Sequence, residues 1–220
     1  MKPAKFNFLA PQDLGEVLAC LDQYGAESRI LAGGLSLGAM LNYRLVDVSV
    51  LVDISSLKEL SYIRRDGDWI EIGAATTQAE LLAWPELFET LPLLALALPS
   101  VGHYQTRSRG TICGSISHCE PTSELPLCFR LLNGEAVLRS KKGERRISAG
   151  DFQRGMLSNA CRPDELVVAV RFPVRKPTEG FAFREFAQRR GDFAIVVVAA
   201  VADANILRVA VGGVTDRPHI

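Results

Sequence analysis

The sequence predicts an α+β fold with a small β-rich piece toward its C-terminal end. Helical and strand patterns are mixed through residues 1–176, and three strand-like segments then follow in succession at 181–186, 194–202 and 206–211. Pro173 and Pro177 punctuate the passage between the two, which places a boundary near 175–180 and divides the chain into residues 1–176 and 177–220. With 220 residues and 48% hydrophobic content, the chain is long enough for one domain, or for a main domain plus a smaller one.

In residues 12–24, Leu14, Val17, Leu18, Leu21 and Tyr24 recur at helical spacing, and Gly25 is a natural stop. Residues 29–32 form a short strand candidate that runs into a Gly-Gly loop; 37–45 offers a helical turn or two, and 50–54 reads as a buried strand. Asp66-Gly67 between 62–64 and 69–73 signals a hairpin. Thr77-Gln78-Ala79-Glu80 fits a capping box, and an apolar stripe with Pro92 inside it runs over 87–98. Residues 99–121 show little periodicity; 124–132 reads as a helix, and Lys141-Lys142-Gly143 as the turn of a second hairpin. A strand over 166–172 ends at Pro173, and Asp203-Ala204-Asn205 is a tight turn between the last two strands.

The charge balance, 25 Lys+Arg against 25 Asp+Glu, argues against a general nucleic-acid binder, which carries a basic excess. Disorder is excluded by the apolar content. No apolar run is long enough for a transmembrane helix, and the first residues lack the apolar core of a signal peptide, so a cytoplasmic location is expected. The five cysteines (20, 113, 119, 128, 161) contain no C-x-x-C pair and read as reduced thiols rather than as ligands of zinc or an iron–sulfur cluster.

Two glycine loops carry the chemistry. Leu31-Ala32-Gly33-Gly34-Leu35-Ser36-Leu37 follows a strand directly; its backbone N–H groups can form an anion-binding nest, with Ser36 adding a hydroxyl, although a Gly-Gly pair alone is also an ordinary turn. It is neither a dinucleotide fingerprint nor a Walker loop. The second, Arg109-Gly110-Thr111-Ile112-Cys113-Gly114-Ser115, offers the same donors or, equally, a surface loop. Spacing alone does not bring the two together.

With Leu51-Val52-Asp53-Ile54, Ile72-Gly73-Ala74-Ala75-Thr76-Thr77, Glu124-Leu125-Pro126, Pro163-Asp164-Glu165-Leu166 and Arg190-Gly191-Asp192-Phe193-Ala194, these loops form an ordered set over nearly the whole chain. That set resembles the FAD-binding medium subunit of molybdenum hydroxylases, in the carbon monoxide dehydrogenase medium subunit group of the xanthine dehydrogenase family. The resemblance implies a two-part FAD-binding domain of the vanillyl-alcohol oxidase (PCMH) type over 1–176, and a partial, short C-terminal domain over 177–220. It implies FAD as cofactor, with its diphosphate held by 30–37 and by Thr111, Ile112, Cys113, Gly114 and Ser115. Glu124 would accept hydrogen bonds from the FAD sugar hydroxyls, or serve simply as a helix N-terminal carboxylate. Val101 and Val167 would lie near the cofactor or in ordinary packing, and Arg184 near the flavin ring or as a solvated strand charge. Phe193 is a candidate flavin neighbour or a core aromatic. His118 is a candidate proton donor or a structural hydrogen-bonder, with His103 a weaker candidate.

The chain departs from the family pattern at Leu35, where Gln or His is common. Cys113 replaces the first glycine of Thr-Ile-Gly-Gly, which requires ordinary negative φ there and would set a thiol near the flavin. The short C-terminal part would leave Ile195, Val196, Val197 and Val198 exposed unless something covers them. The implied role is electron relay, with no catalytic acid, base or nucleophile on this chain. Partners would be a large molybdenum–pterin subunit and a small 2Fe–2S subunit, assembled as a dimer of heterotrimers. A stand-alone FAD oxidoreductase and a flavin-free assembly subunit are the alternatives.

Overall fold

A computed structural model describes residues 2–220. The chain begins with a small parallel sheet. β1 (Asn7–Leu9), β2 (Ser28–Leu31) and β3 (Val50–Asp53) lie in the order β1–β3–β2, joined by α1 (Leu14–Tyr24) and α2 (Leu35–Asn42). Asp13 caps α1 by accepting from the Glu16 amide, so the helix starts two residues after the expected Gln12. β1 carried no sequence signal, since an isolated three-residue strand has no period to read. Leu41, Val48 and Leu51 form a small core of their own beneath α2, separate from the main core.

The hairpin β4 (Ile63–Asp66) and β5 (Trp69–Gly73) follows, then α3 (Gln78–Ala83), α4 (Leu87–Thr90) and α5 (Pro92–Ala97). The apolar stripe is indeed split, and Pro92 sits at the start of α5, where its missing N–H costs nothing. The stretch without periodicity holds two helices, α6 (Tyr104–Arg107) and α7 (Ile112–His118). Both are short and poor in large apolar residues, so caps and tertiary contacts define them rather than an amphipathic stripe.

After α8 (Glu124–Leu131), the hairpin β6 (Glu135–Ser140) and β7 (Gly143–Ser148) leads through α9 (Ala149–Phe152) and the ribbon β8 (Gln153–Gly155) and β9 (Ser158–Asn159) to β10 (Leu166–Pro173). β10 is the middle of a five-stranded antiparallel sheet of order β4–β5–β10–β6–β7. Its β-branched run is buried on both faces, as a central strand requires. Beside it Phe129 meets Phe152 and Phe172 edge-on, with centroids 6.1 and 5.7 Å apart.

β11 (Gly180–Ala187), β12 (Ala194–Ala202) and β13 (Leu207–Gly212) make a three-stranded antiparallel sheet that packs against α5 and α8. The α+β class is thus the observed one. One expectation is corrected: Val197 is fully buried, because β12 turns Val197, Ala199 and Val201 toward the helices. Val196 and Val198 are half-covered, and of the four only Ile195 is exposed. A cavity of about 370 Å³ lies between this sheet and the first hairpin, lined among others by Trp69, Leu91, Phe181, Val201 and Arg208. Among the described residues no helix is long and apolar enough to cross a membrane.

Candidate functional site

The two glycine loops meet. β2 ends at Leu31, and the chain turns into α2 through Gly34 in the left-handed region at φ +74°. A Cβ at Gly33 would stand 2.1 Å from the Arg109 carbonyl oxygen and 2.9 Å from the Gly110 Cα. The second loop's backbone therefore fills the space where a side chain on the first would stand. Arg109 Nε also points at the Gly33 carbonyl oxygen, 3.5 Å away.

The second loop is fixed from below. The Gln78 amide donates to the Gly110 carbonyl at 2.8 Å and the Ile112 amide to the Thr76 carbonyl at 3.2 Å, while Thr77 and Thr111 form a β-bridge. Thr76 is held in turn by its hydroxyl, which accepts from the Tyr62 amide and donates to the Tyr62 carbonyl, both at 2.9 Å. Thr111 Oγ1 accepts from the Gly114 amide at 3.0 Å and so starts α7. Thr77 and Glu80 complete the expected capping box. Thr111→Ala removes one of these caps, and urea unfolding is expected to show a loss of about 1 kcal/mol.

The residues present fit an FAD diphosphate. Gly33 and Gly34 leave a cradle without side chains, and the first-turn amides of α2 have no acceptor within the helix. Ser36 and Gly114 are exposed and Ser115 is half-exposed beside them. The donor set is neutral amides and hydroxyls, as an anion nest requires. Leu35 is 40% exposed and offers only its backbone to this set.

Ile30, Leu31, Ala32, Gly33, Gly34 and Leu37 are half-buried between β2 and α2. Cys113 lies in the first turn of α7 with ordinary φ, fully buried, its Sγ 3.5 Å from the Ile72 carbonyl oxygen. Burial pushes its thiol far above the usual range, which makes it a packing residue rather than a reactive one. Val101 is buried after α5, and Val167 is buried in β10 beside a bulge. The sequence reading missed Arg107, whose Nη1 donates to the carbonyls of Val101 and Gly102, both at 2.9 Å, and clamps that turn. A guanidinium bonding backbone five and six residues earlier has no sequence signature.

Glu124 occupies the first turn of α8, which packs against α7, and is 7% exposed. Arg184 lies on the outer side of β11, donating to the Phe183 carbonyl, and Phe193 is exposed in the β11–β12 loop. Gly191 of that loop lies against the His103 ring. His118 ends α7, and burial lowers its pKa below the usual value despite nearby Glu120. Among the described residues no cluster of His, Cys, Asp and Glu is placed to hold a metal ion.

Comparison with known proteins gives the family and the fold. Residues 4–175 match the model of the FAD binding domain in molybdopterin dehydrogenase. The chain is 33% identical over 224 residues to the caffeine dehydrogenase subunit beta of Pseudomonas sp. (strain CBB1), which covers 99% of this chain and 76% of that one. It is 34% identical over 201 residues to the carbon monoxide dehydrogenase medium chain of Hydrogenophaga pseudoflava, covering 91% and 70%. The solved carbon monoxide dehydrogenase from Hydrogenophaga pseudoflava superposes with a TM-score of 0.95 at 32% identity, over 100% of this chain and 78% of that chain.

Proposed function

This chain belongs to the family of FAD-binding domains in molybdopterin dehydrogenase, and from that premise we propose that it is the electron-relay subunit of a molybdenum hydroxylase. It is an FAD-binding subunit of an oxidoreductase. The observation that carries the finer reading is the junction of the two glycine loops at Gly33 and Arg109, which makes one neutral, amide-lined cradle out of two distant segments.

In this reading Ala32, Gly33, Gly34, Leu35 and Ser36 hold one side of the diphosphate through backbone amides and the Ser36 hydroxyl. Thr111, Ile112, Cys113, Gly114 and Ser115 hold the other. Glu124 accepts from the cofactor's sugar hydroxyls. Val101, on the turn clamped by Arg107, and Val167 line the cofactor's apolar parts, and Arg184 stands at the flavin end. Bound FAD supplies redox chemistry at its ring, relaying electrons from 2Fe–2S clusters on a small subunit to an external acceptor. The chain's own work is to bind, orient and shield the cofactor. A large molybdenum–pterin subunit would hold the substrate site, and 177–220 would act as a separate C-terminal unit beside 1–176.

Affinity purification of the tagged chain from its native cell tests this reading. The expected product is yellow, carries about one FAD per chain, and brings with it a molybdenum subunit and an iron–sulfur subunit. A pure chain that oxidises a substrate unaided would overturn the relay role, and a colourless chain that takes up no added FAD would overturn the cofactor site.

A further inference from the structure

We propose that Glu124 and Glu185 form a proton-sharing carboxyl pair in which Glu185 is the positioning residue for Glu124, so that the pair presents one negative charge to the cofactor rather than two. The inference rests on the reading of Glu124 as a cofactor residue.

Along β11 the inward positions are Phe181, Phe183 and Glu185, while Arg184 and Phe186 point outward. Glu185 is thus a carboxylate on the apolar side of a strand. Its Oε2 is completely buried and has no hydrogen-bond partner. Glu124 and Ser100 are its polar neighbours. Glu124 is itself buried, at the head of α8.

The surroundings supply no cation. α5 contributes only apolar residues, and the inward faces of β12 and β13 contribute Val197, Ala199 and Ala210. Cys128 lies one turn along α8. α7 contributes the buried Cys113 and half-buried His118, the latter beside Glu120. Arg107 and Arg184 each donate to backbone carbonyls. Among the described residues neither glutamate takes part in an ion pair.

Two carboxylates in contact, one buried and the other half-buried with one oxygen sealed from solvent, do not both ionise freely where no cation offsets them. One proton resolves the conflict: Glu124 donates its O–H to Glu185, which also accepts from Ser100, and the other Glu124 oxygen stays free to accept from a ligand hydroxyl. The titration agrees. Burial first, and Glu185 second, push Glu124 up from 4.5 to about 7. Burial also raises Glu185, against the hydrogen bonds from Glu124 and Ser100 that lower it. A carboxyl whose pKa is raised on folding stabilises the fold fully below its unfolded value, and that stabilisation is lost as pH rises from 4.5 to about 7.

Glu185→Gln places a permanent amide donor against Glu124 and removes the second charge, so that only burial opposes the ionisation of Glu124. In the full chain freed of FAD, the wild type should lose thermal stability as pH rises through this window, and Glu185→Gln should lose distinctly less. Infrared difference spectra should show a buried protonated carboxyl in the wild type near pH 6 that Glu124→Gln removes. Titration with FAD should give a dissociation constant that rises with pH by up to about tenfold per unit above the pair's pKa in the wild type, and rises distinctly less in Glu185→Gln. No protonated carboxyl, together with identical stability profiles, would overturn the pair whatever FAD does. A protonated carboxyl and the expected stability difference, with FAD affinity untouched by either variant, would leave the pair standing and overturn the placement of Glu124 at the cofactor.

Discussion

Gly33→Ala is expected to strip this protein of its FAD while leaving it folded. The added methyl would stand 2.1 Å from the Arg109 carbonyl oxygen, far inside van der Waals contact, and that oxygen belongs to backbone that cannot rotate away. Relief requires the loops to part, and donors displaced by an ångström no longer converge on one diphosphate. We expect at least about a hundredfold weaker FAD binding, about 2.7 kcal/mol, and a colourless protein after desalting. The control is Gly38→Ala in α2, the helix that follows the loop, where a Cβ meets nothing within 4 Å. It should keep its FAD and gain about 0.5–1 kcal/mol from helix propensity. Full FAD stoichiometry in Gly33→Ala would show that the loop junction is not the cofactor cradle.

The second large effect concerns Arg171, a charge in the middle of a strand otherwise made of core. It is 4% exposed and is surrounded by Asp66 at 2.7 Å, Glu135 at 3.0 Å and Glu71 at 3.4 Å, with its guanidinium over the Trp69 ring. Its Nε faces Glu71 at ion-pair distance but makes no hydrogen bond, so the contact there is electrostatic. Glu71 is itself buried and also accepts from Tyr62 and Arg64. Arg171→Met keeps the volume and leaves Glu71 a partly compensated buried charge, a change that costs about 3–5 kcal/mol. Urea unfolding of the full chain should show it. The double variant Arg171→Met with Glu71→Gln should recover part of the loss, because the stranded charge is gone. A single variant within about 1 kcal/mol of wild type would show that the network contributes little to stability.

What the sequence reveals depends on how local each cause is. α1, both hairpins and β10 were legible because their period, caps and turn glycines lie inside the segments themselves. α7 was not, since its start is set by Thr111 and by the bond from the Ile112 amide to the Thr76 carbonyl, and α6 was not, since its four residues have no side-chain cap. Both glycine loops were legible as donor-rich loops, but their meeting is a tertiary fact, as is the Arg107 clamp on Val101. Glu185 shows the same limit. Phe-Ala-Phe-Arg-Glu-Phe alternates clearly enough to separate two faces of β11, yet only the packing of α5 and α8 decides which face is inside. Val197 was misread for that reason.

The two halves of the cradle are unequally moored. The second loop is bonded to Thr76 and Gln78 in the passage from β5 to α3, and its Ile112 and Cys113 lie in the main core. The first leaves a three-stranded sheet whose Val50 and Val52 join the main core, but its helix α2 rests on the small core of Leu41, Val48 and Leu51. In hydrogen exchange the Gln78 and Ile112 amides should therefore be protected nearly as long as β5, and the amides of α2 should open far sooner. In the proposed site, cofactor entry and release would then be carried more by α2 than by the second loop. In the proposed site the lifetime of the bound state then depends in part on the lesser core, none of whose three buried side chains is among the residues assigned to the cofactor.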